Sequence, residues 1–260
     1  MTREHDSPRA EAISLVLPAF NEEECIETAI AEAAEALAGL AHDYEILVVD
    51  DGSRDQTAAA VERAIAGNAH VRLVSHGVNR GYGAALRSGF DAARHDLVAF
   101  TDADCQFHLE DLGLLLALIA DQDVVCGFRM DRKDAWLRRF YSGGYNLLVR
   151  ALLGLPVKDL DCALKLFRAR VLSDIQIETN GFLVNAEVLT KLSLAGCRIS
   201  QVGVRHRARF GGVSTVSPLH AIPVLAALLR FWWSWVLFPA PSPEGGTTAQ
   251  PNEPISPADA

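Results

Sequence analysis

Three oxygen-bearing side chains fall at alternate positions in T-D-A-D-C-Q, residues 101–106: Asp102, Asp104 and Gln106. In an extended segment a spacing of two points side chains the same way, so the three oxygens converge. Hard oxygen donors in so small a number suit Mg²⁺ or Mn²⁺, which keep open positions for diphosphate oxygens and water. Taken alone, D-x-D between a strand and a helix is more often an Asx turn than a metal site. Its neighbours in the chain decide between the two.

The motif follows an apolar run, Leu97 to Phe100, that reads as a buried strand and delivers both aspartates at its carboxyl end. The same pattern recurs. Ile13 to Leu17, Tyr44 to Val49, Val71 to Ser75 and Val124 to Gly127 are further β-rich runs. Helical stretches at 22–40, 55–66, 81–93 and 109–120 separate them. Strands alternating with helices predict an α/β fold, a mostly parallel sheet with helices on both faces. Ligands of such sheets bind beyond the carboxyl ends of the strands. Polar punctuation stands at those ends: Asn21 and Glu22, Asp50 and Asp51, Asp102 and Asp104, then Arg129. Beyond Gly127 the alternation fades. A helix is expected at 134–153, strand-like segments at 159–167 and 198–204, and a helix at 185–195. N-R-G-Y-G-A at 79–84 follows the third strand and has Leu86 at the third glycine position of a dinucleotide fingerprint. Its glycines therefore read as close backbone approach or tight helix entry.

The bulk composition narrows the function classes. With 260 residues, 50% hydrophobic and 22% charged, the chain suits one large α/β domain with appendages. Five cysteines without C-x-x-C spacing indicate neither a zinc site nor a disulfide framework, and so a reducing compartment. The polar first residues carry no secretory signal pattern. A net charge of −9 argues against nucleic acid as a partner. Basic residues nonetheless cluster between Arg129 and Arg150 and again at Arg205, Arg207 and Arg209, which favours an anionic ligand.

In order along the chain come P-A-F-N-E at 18–22, V-D-D-G-S at 49–53, N-R-G-Y-G-A-A at 79–85 and D-A-D-C-Q at 102–106. G-F-R at 127–129, R-R-F-Y-S at 138–142, D-L-D-C-A-L-K-L-F at 159–167 and R-F-G-G-V-S at 209–214 follow. Over residues 12–215 this series resembles glycosyltransferase family 2, within it the dolichol-phosphate mannose synthase-like and other polyprenyl-phosphate glycosyltransferases. The resemblance implies a GT-A fold and inverting, metal-dependent transfer from a nucleotide sugar to a polyprenyl phosphate. It assigns Pro18, Phe20, Glu22, Val49 and Asp51 to the nucleotide base and ribose. Asp102, Ala103, Asp104 and Gln106 would hold metal and diphosphate, with Asp102, Asp104 and Arg129 as the catalytic set. Arg129 and Arg209 would meet phosphates, and Arg138 and Ser142 the acceptor phosphate. Phe20 stands where the family often has tyrosine, and Thr215 where mannose synthases tend to carry lysine, so GDP-mannose and a UDP-sugar both stay open as donor. A transferase for a soluble or glycan acceptor would need a carboxylate base, for which Glu187 and Asp161 are the candidates. A sugar nucleotidyltransferase would want a basic, Gly-rich loop after the first strand, where Pro18 to Glu24 has no basic residue. A non-catalytic nucleotide-sugar-binding protein is the remaining class.

Leu219 to Phe238 is nearly all apolar and carries Trp232, Trp233 and Trp235, with His220, Arg230 and Ser234 on one narrow stripe. An amphipathic helix lying in a membrane interface is expected, with a core-packing helix as the alternative. The chain then divides into a polar tail (1–11), a GT-A domain (12–216), an interfacial helix (217–238) and a disordered Pro-rich tail (239–260). The expected location is the cytoplasmic face of a membrane, as a peripheral protein.

Overall fold

The computed structural model describes residues 9–130, 154–155 and 157–208. A seven-stranded sheet runs in the order β3-β2-β1-β4-β6-β5-β7. Its strands are β1 (Ala10–Ala19), β2 (Ala41–Asp50), β3 (Val71–Ser75), β4 (Leu97–Phe100), β5 (Val124–Arg129), β6 (Lys165–Arg168) and β7 (Ile199–Val204). The helices are α1 (Ile26–Leu40), α2 (Thr57–Gly67), α3 (Tyr82–Ala92), α4 (Leu112–Ile119), α5 (Ala169–Ser173) and α6 (Val184–Leu194), with a 3₁₀ turn at Leu109–Asp111. Seven successive residues of β1 and six of β2 are buried, as strands covered on both faces must be. Phe90, Phe100 and Phe167 meet at centroid distances of 5.8 to 6.2 Å in the core between α3 and the sheet. Each such pair contributes about 0.5–1.5 kcal/mol beyond its buried area.

Parallel register brings the carboxyl ends together: Ala19 is level with Asp50, Asp50 with Ser75, and Arg129 with Val204. Only β6 runs the other way. It pairs antiparallel with β4 and β5, placing Lys165 beside Phe100 and Cys126, so the loop before it, 159–164, also arrives at the rim. That corrects the strand expected over 159–167, which is reduced to its last few residues. The reason is a buried ammonium. Lys165, 1% exposed, donates to the carbonyls of Leu160 (3.0 Å) and Cys162 and to Asn185 Oδ1 (3.3 Å), so carbonyls that a strand would use in a ladder turn inward instead. Helix α1 likewise begins at Ile26 rather than Glu22, because Glu22 and Glu23 give their backbone N–H groups to Thr57 and Asp55. The short α5 was not expected. The expected helices at 134–153 and 217–238 lie outside the described residues.

Candidate active site

The first wall of the rim joins the turns after β1 and β2. Asn21, at φ 55°, donates its N–H to Ser53 Oγ (2.9 Å) and accepts from Arg54 N–H at Oδ1 (2.8 Å). Glu23 accepts from Gln56 N–H, and Asp55 takes N–H groups of Glu23 and Thr57. Burial opposes the Asp55 charge, but the Thr57 donors outweigh it and hold this carboxyl below its ordinary range. Pro18 and Val49 are register partners and buried, so they form the floor here, while Phe20 and Glu22 are half-buried at the edge. Asp51 is 3% exposed. Its Oδ1 takes His76 Nδ1 (2.6 Å) and Arg80 N–H (2.9 Å), and its Oδ2 takes Gly81 N–H (2.8 Å). It thereby ties the second strand end to the loop that opens α3.

At the end of β4 the D-x-D pair divides. Asp102 is half-buried and accepts the Tyr82 hydroxyl at Oδ1, 2.8 Å away. Asp104 is 7% exposed and accepts Gln106 N–H at 3.1 Å, the turn geometry expected of a D-x-D loop, with Cys105 at φ 56°. Ala103 is buried, and Gln106 Nε2 reaches toward the Arg207 carbonyl at 3.5 Å. Burial raises the Tyr82 pKa well above 10.0, and the charge and hydrogen bond of Asp102 and the charges of Asp104 and Asp161 raise it further. Three carboxylates are thus felt at one hydroxyl. Thr101 Oγ1, one residue before Asp102, is buried with no hydrogen-bond partner among the described residues. Such a set fits a divalent cation, although no cluster of three or more His, Cys, Asp or Glu stands ready for one among the described residues.

Two of the arginines in the 205–209 cluster are taken by the protein itself, which corrects the reading of that cluster as a ligand patch. Arg205 meets Asp111 at 2.7 Å, and Arg207 holds Glu32 and the Cys105 carbonyl, clamping the D-x-D loop to α1. Arg129 is held by both oxygens of Asp159, at 2.7 Å from Nε and 2.9 Å from Nη2. Burial opposes its charge, but the Asp159 hydrogen bonds and charge overcome this and raise its pKa. Its Nη1 has no protein partner among the described residues. Glu187 is 1% exposed. It accepts the N–H groups of Glu178 and Thr179, both at 2.8 Å, and pairs with Lys191 at 2.7 Å. Arg138, Ser142 and Arg209 lie outside the described residues. Sequence reasoning quoted Tyr82 within a motif without a role, and passed over His76 and Asp159's grip on Arg129. A tyrosine between two glycines at a helix entry was the available signal for the first.

The family model described as Glycosyl transferase family 2 matches residues 14–176. A dodecaprenyl-phosphate galacturonate synthase from Rhizobium johnstonii is 29% identical, over 86% of this chain and 68% of its own length. An undecaprenyl-phosphate 4-deoxy-4-formamido-L-arabinose transferase from Pseudomonas fluorescens is 34% identical, over 84% and 64%. The chain thus spans about two thirds of the length of these curated relatives. Among solved structures, glucosyl-3-phosphoglycerate synthase from Mycobacterium tuberculosis with Mn²⁺, UDP and glucosyl-3-phosphoglycerate superposes with a TM-score of 0.65 at 26% identity, over 85% of this chain and 79% of that one. The same enzyme with Mn²⁺, UDP-glucose and phosphoglyceric acid gives a TM-score of 0.65 at 27% identity, over 86% and 80%. The sheet described above is therefore a GT-A-like fold.

Proposed function

Because this chain belongs to glycosyl transferase family 2 and is a glycosyltransferase, we propose that it moves a sugar from a nucleoside-diphosphate donor to the phosphate of a polyprenyl carrier. The observation that carries this reading is the polyprenyl-phosphate acceptor in the names of both curated relatives. Glu187, one of the two candidate bases, is in a state that agrees with it. A transferase that activates a hydroxyl acceptor needs a carboxylate within reach of the acceptor proton. Glu187 is buried, with its oxygens bound by two backbone N–H groups and Lys191. A phosphate monoester needs no such base, since its second pKa of about 6 leaves it largely dianionic at neutral pH.

In the proposed reaction an acceptor phosphate oxygen forms the new bond to the anomeric carbon from the face opposite the donor diphosphate. The bond from that carbon to the diphosphate oxygen breaks, the nucleoside diphosphate leaves with the electron pair, and the anomeric configuration inverts. Mg²⁺ or Mn²⁺, when bound by Asp102 and Asp104 with Gln106, would stabilise the charge that develops on the leaving group. The crystallisation of the fold's neighbours with Mn²⁺ and UDP supports that metal use. Arg129, kept charged by Asp159, directs Nη1 chemistry to phosphate oxygens, with Arg209 in the same role. Arg138 and Ser142, four residues apart, grip the acceptor phosphate. Pro18, Phe20, Glu22, Val49 and Asp51 frame the nucleotide.

Among the described residues no helix is long and apolar enough to cross a membrane. The segment 217–238 is proposed to lie in the interface and bring the rim to the acceptor's headgroup, on the cytoplasmic face. A second reading, transfer to a small soluble acid, is favoured by the phosphoglyceric acid held in the neighbouring structure. GDP- and UDP-sugars offered with a short polyprenyl phosphate, and in parallel with 3-phosphoglycerate, separate the two. Product on the polyprenyl phosphate alone is the expected result. Product on phosphoglycerate alone would replace this proposal with the second reading.

A further inference from the structure

Between α5 and α6 the backbone of residues 176–182 has no regular secondary structure, yet α3 and α6 both hydrogen-bond to it. On one side Glu187, in the first turn of α6, takes the N–H groups of Glu178 and Thr179, and Lys191 donates to the Gln176 carbonyl at 2.6 Å. On the other side Arg87 of α3 donates to the Ile177 carbonyl (2.8 Å) and Asn180 Oδ1 (3.0 Å), and Gly83 N–H donates to the Asn180 carbonyl (2.8 Å). The segment is a strap laid across the N-terminus of α3. Contact is so close that a Cβ on Gly83 would stand 2.1 Å from the Thr179 carbonyl oxygen, and one on Gly81 2.3 Å from that of Asn180. The residue between those two glycines is Tyr82. Phe182, at the end of the strap, stacks on its ring at 5.9 Å, and its hydroxyl donates to Asp102.

We propose that the buried Glu187–Lys191 pair is a positioning device for Asp102, acting through this strap and Tyr82. The pair lies four residues apart on α6, with side chains 1% and 4% exposed. A buried ion pair is weak evidence for stability in itself, but an ion pair whose oxygens also bind two successive backbone N–H groups fixes the path of the strap. With the strap fixed, Tyr82 is held between Phe182 and the turn, and its hydroxyl selects one orientation of the Asp102 carboxylate. Groups that orient a ligand carboxylate from behind are worth about 10–100-fold in metal affinity. The inference rests on the proposed role of Asp102 at the metal.

Mn²⁺ binding by the full-length protein, followed by electron paramagnetic resonance with UDP and in parallel with GDP, tests it. Glu187→Gln keeps the volume and one acceptor oxygen, and is expected to weaken Mn²⁺ binding about tenfold, as is Tyr82→Phe. The double variant is expected to bind no more weakly than the worse single one, because both act on the same carboxylate. Additive losses, or an unchanged affinity in Glu187→Gln, would overturn the proposal, since a purely structural pair moves the melting temperature without this coupling. Should Glu187→Gln fail to fold, Phe182→Ala decides: the ring is 40% exposed, its loss spares the core, and full Mn²⁺ affinity in that variant counts against the strap. Asp102→Asn separates the two levels of argument. If it binds Mn²⁺ like the wild type, the metal reading fails; if it does not while Glu187→Gln does, only the positioning role fails.

Discussion

At the scale of single residues, the D-x-D pair carries two kinds of bond at once. Asp104 closes its own turn through Gln106 N–H, and in the proposed reaction also holds the metal. Asparagine in its place keeps the Oδ1 acceptor and the volume but removes the charge. Asp104→Asn is therefore expected to fold normally and to lose divalent-dependent transfer by about a hundredfold or more; wild-type turnover with Mg²⁺ would remove Asp104 from the metal set. Glu187 yields a pH prediction. Burial opposes its charge, yet Lys191 and the N–H groups of Glu178 and Thr179 hold its pKa below the ordinary 4.5. A carboxyl with a depressed folded pKa contributes stability above its unfolded pKa and loses it as pH falls through the folded value. The urea midpoint of the wild type should thus exceed that of Glu187→Gln at pH 7, and the gap should narrow progressively as the pH falls below the ordinary 4.5 toward the lowered folded value. Glu45 is also lowered, with burial overcome by Ser14, Arg72 and Arg94, so both proteins will lose some stability in acid.

At the scale of elements, the site is built where loops cross strand ends, and the crossings are tight. Gly83 lies in the first turn of α3, where alanine would ordinarily favour the helix. Here a methyl group would enter the Thr179 carbonyl. Gly83→Ala is expected to destabilise the protein by about 1–3 kcal/mol, the usual cost of overpacking, and to impair transfer along with it. Gly181→Ala is the control, because a Cβ there meets nothing within 4 Å. Equal melting temperatures for the two variants would show that the strap gives way without cost. The reversed strand β6 is the other organising element. By entering from the rim it delivers Asp159 to Arg129, a service a parallel strand at that position could perform only at its far end.

At the scale of the molecule, the proposed acceptor is a phosphate anchored among lipid headgroups, and anionic lipid repels a chain of net charge −9. In the proposed reading the apolar stretch 219–238 with its tryptophans would supply the attraction that so acidic a chain lacks. Deleting 217–260 is expected to leave nucleotide-sugar binding intact while abolishing flotation with liposomes and transfer to membrane-embedded acceptor. Flotation equal to that of the full chain would make the segment a packing element instead.

Periodicity and punctuation alone determined the alternating strands and helices through Gly127, the mostly parallel sheet, and the rim on which Asp51, Asp102, Asp104 and Arg129 stand. Those features are local: apolar runs decide burial, and polar breaks decide where strands end. Tertiary structure alone decided the direction of β6, because whether a short apolar run pairs parallel or antiparallel depends on where its neighbours lie and on the inward turn of Lys165. It also decided which carboxylate each arginine meets. Arg129, Arg205 and Arg207 look alike in sequence, and each proves to be paired with a carboxylate, Asp159, Asp111 and Glu32 respectively. The same holds for Glu187, a base candidate by residue type that its burial and its three donors turn into a clamp. Charge is written in the sequence, but whether it is spent inside the protein or offered to a substrate is a matter of distances that only the folded chain sets.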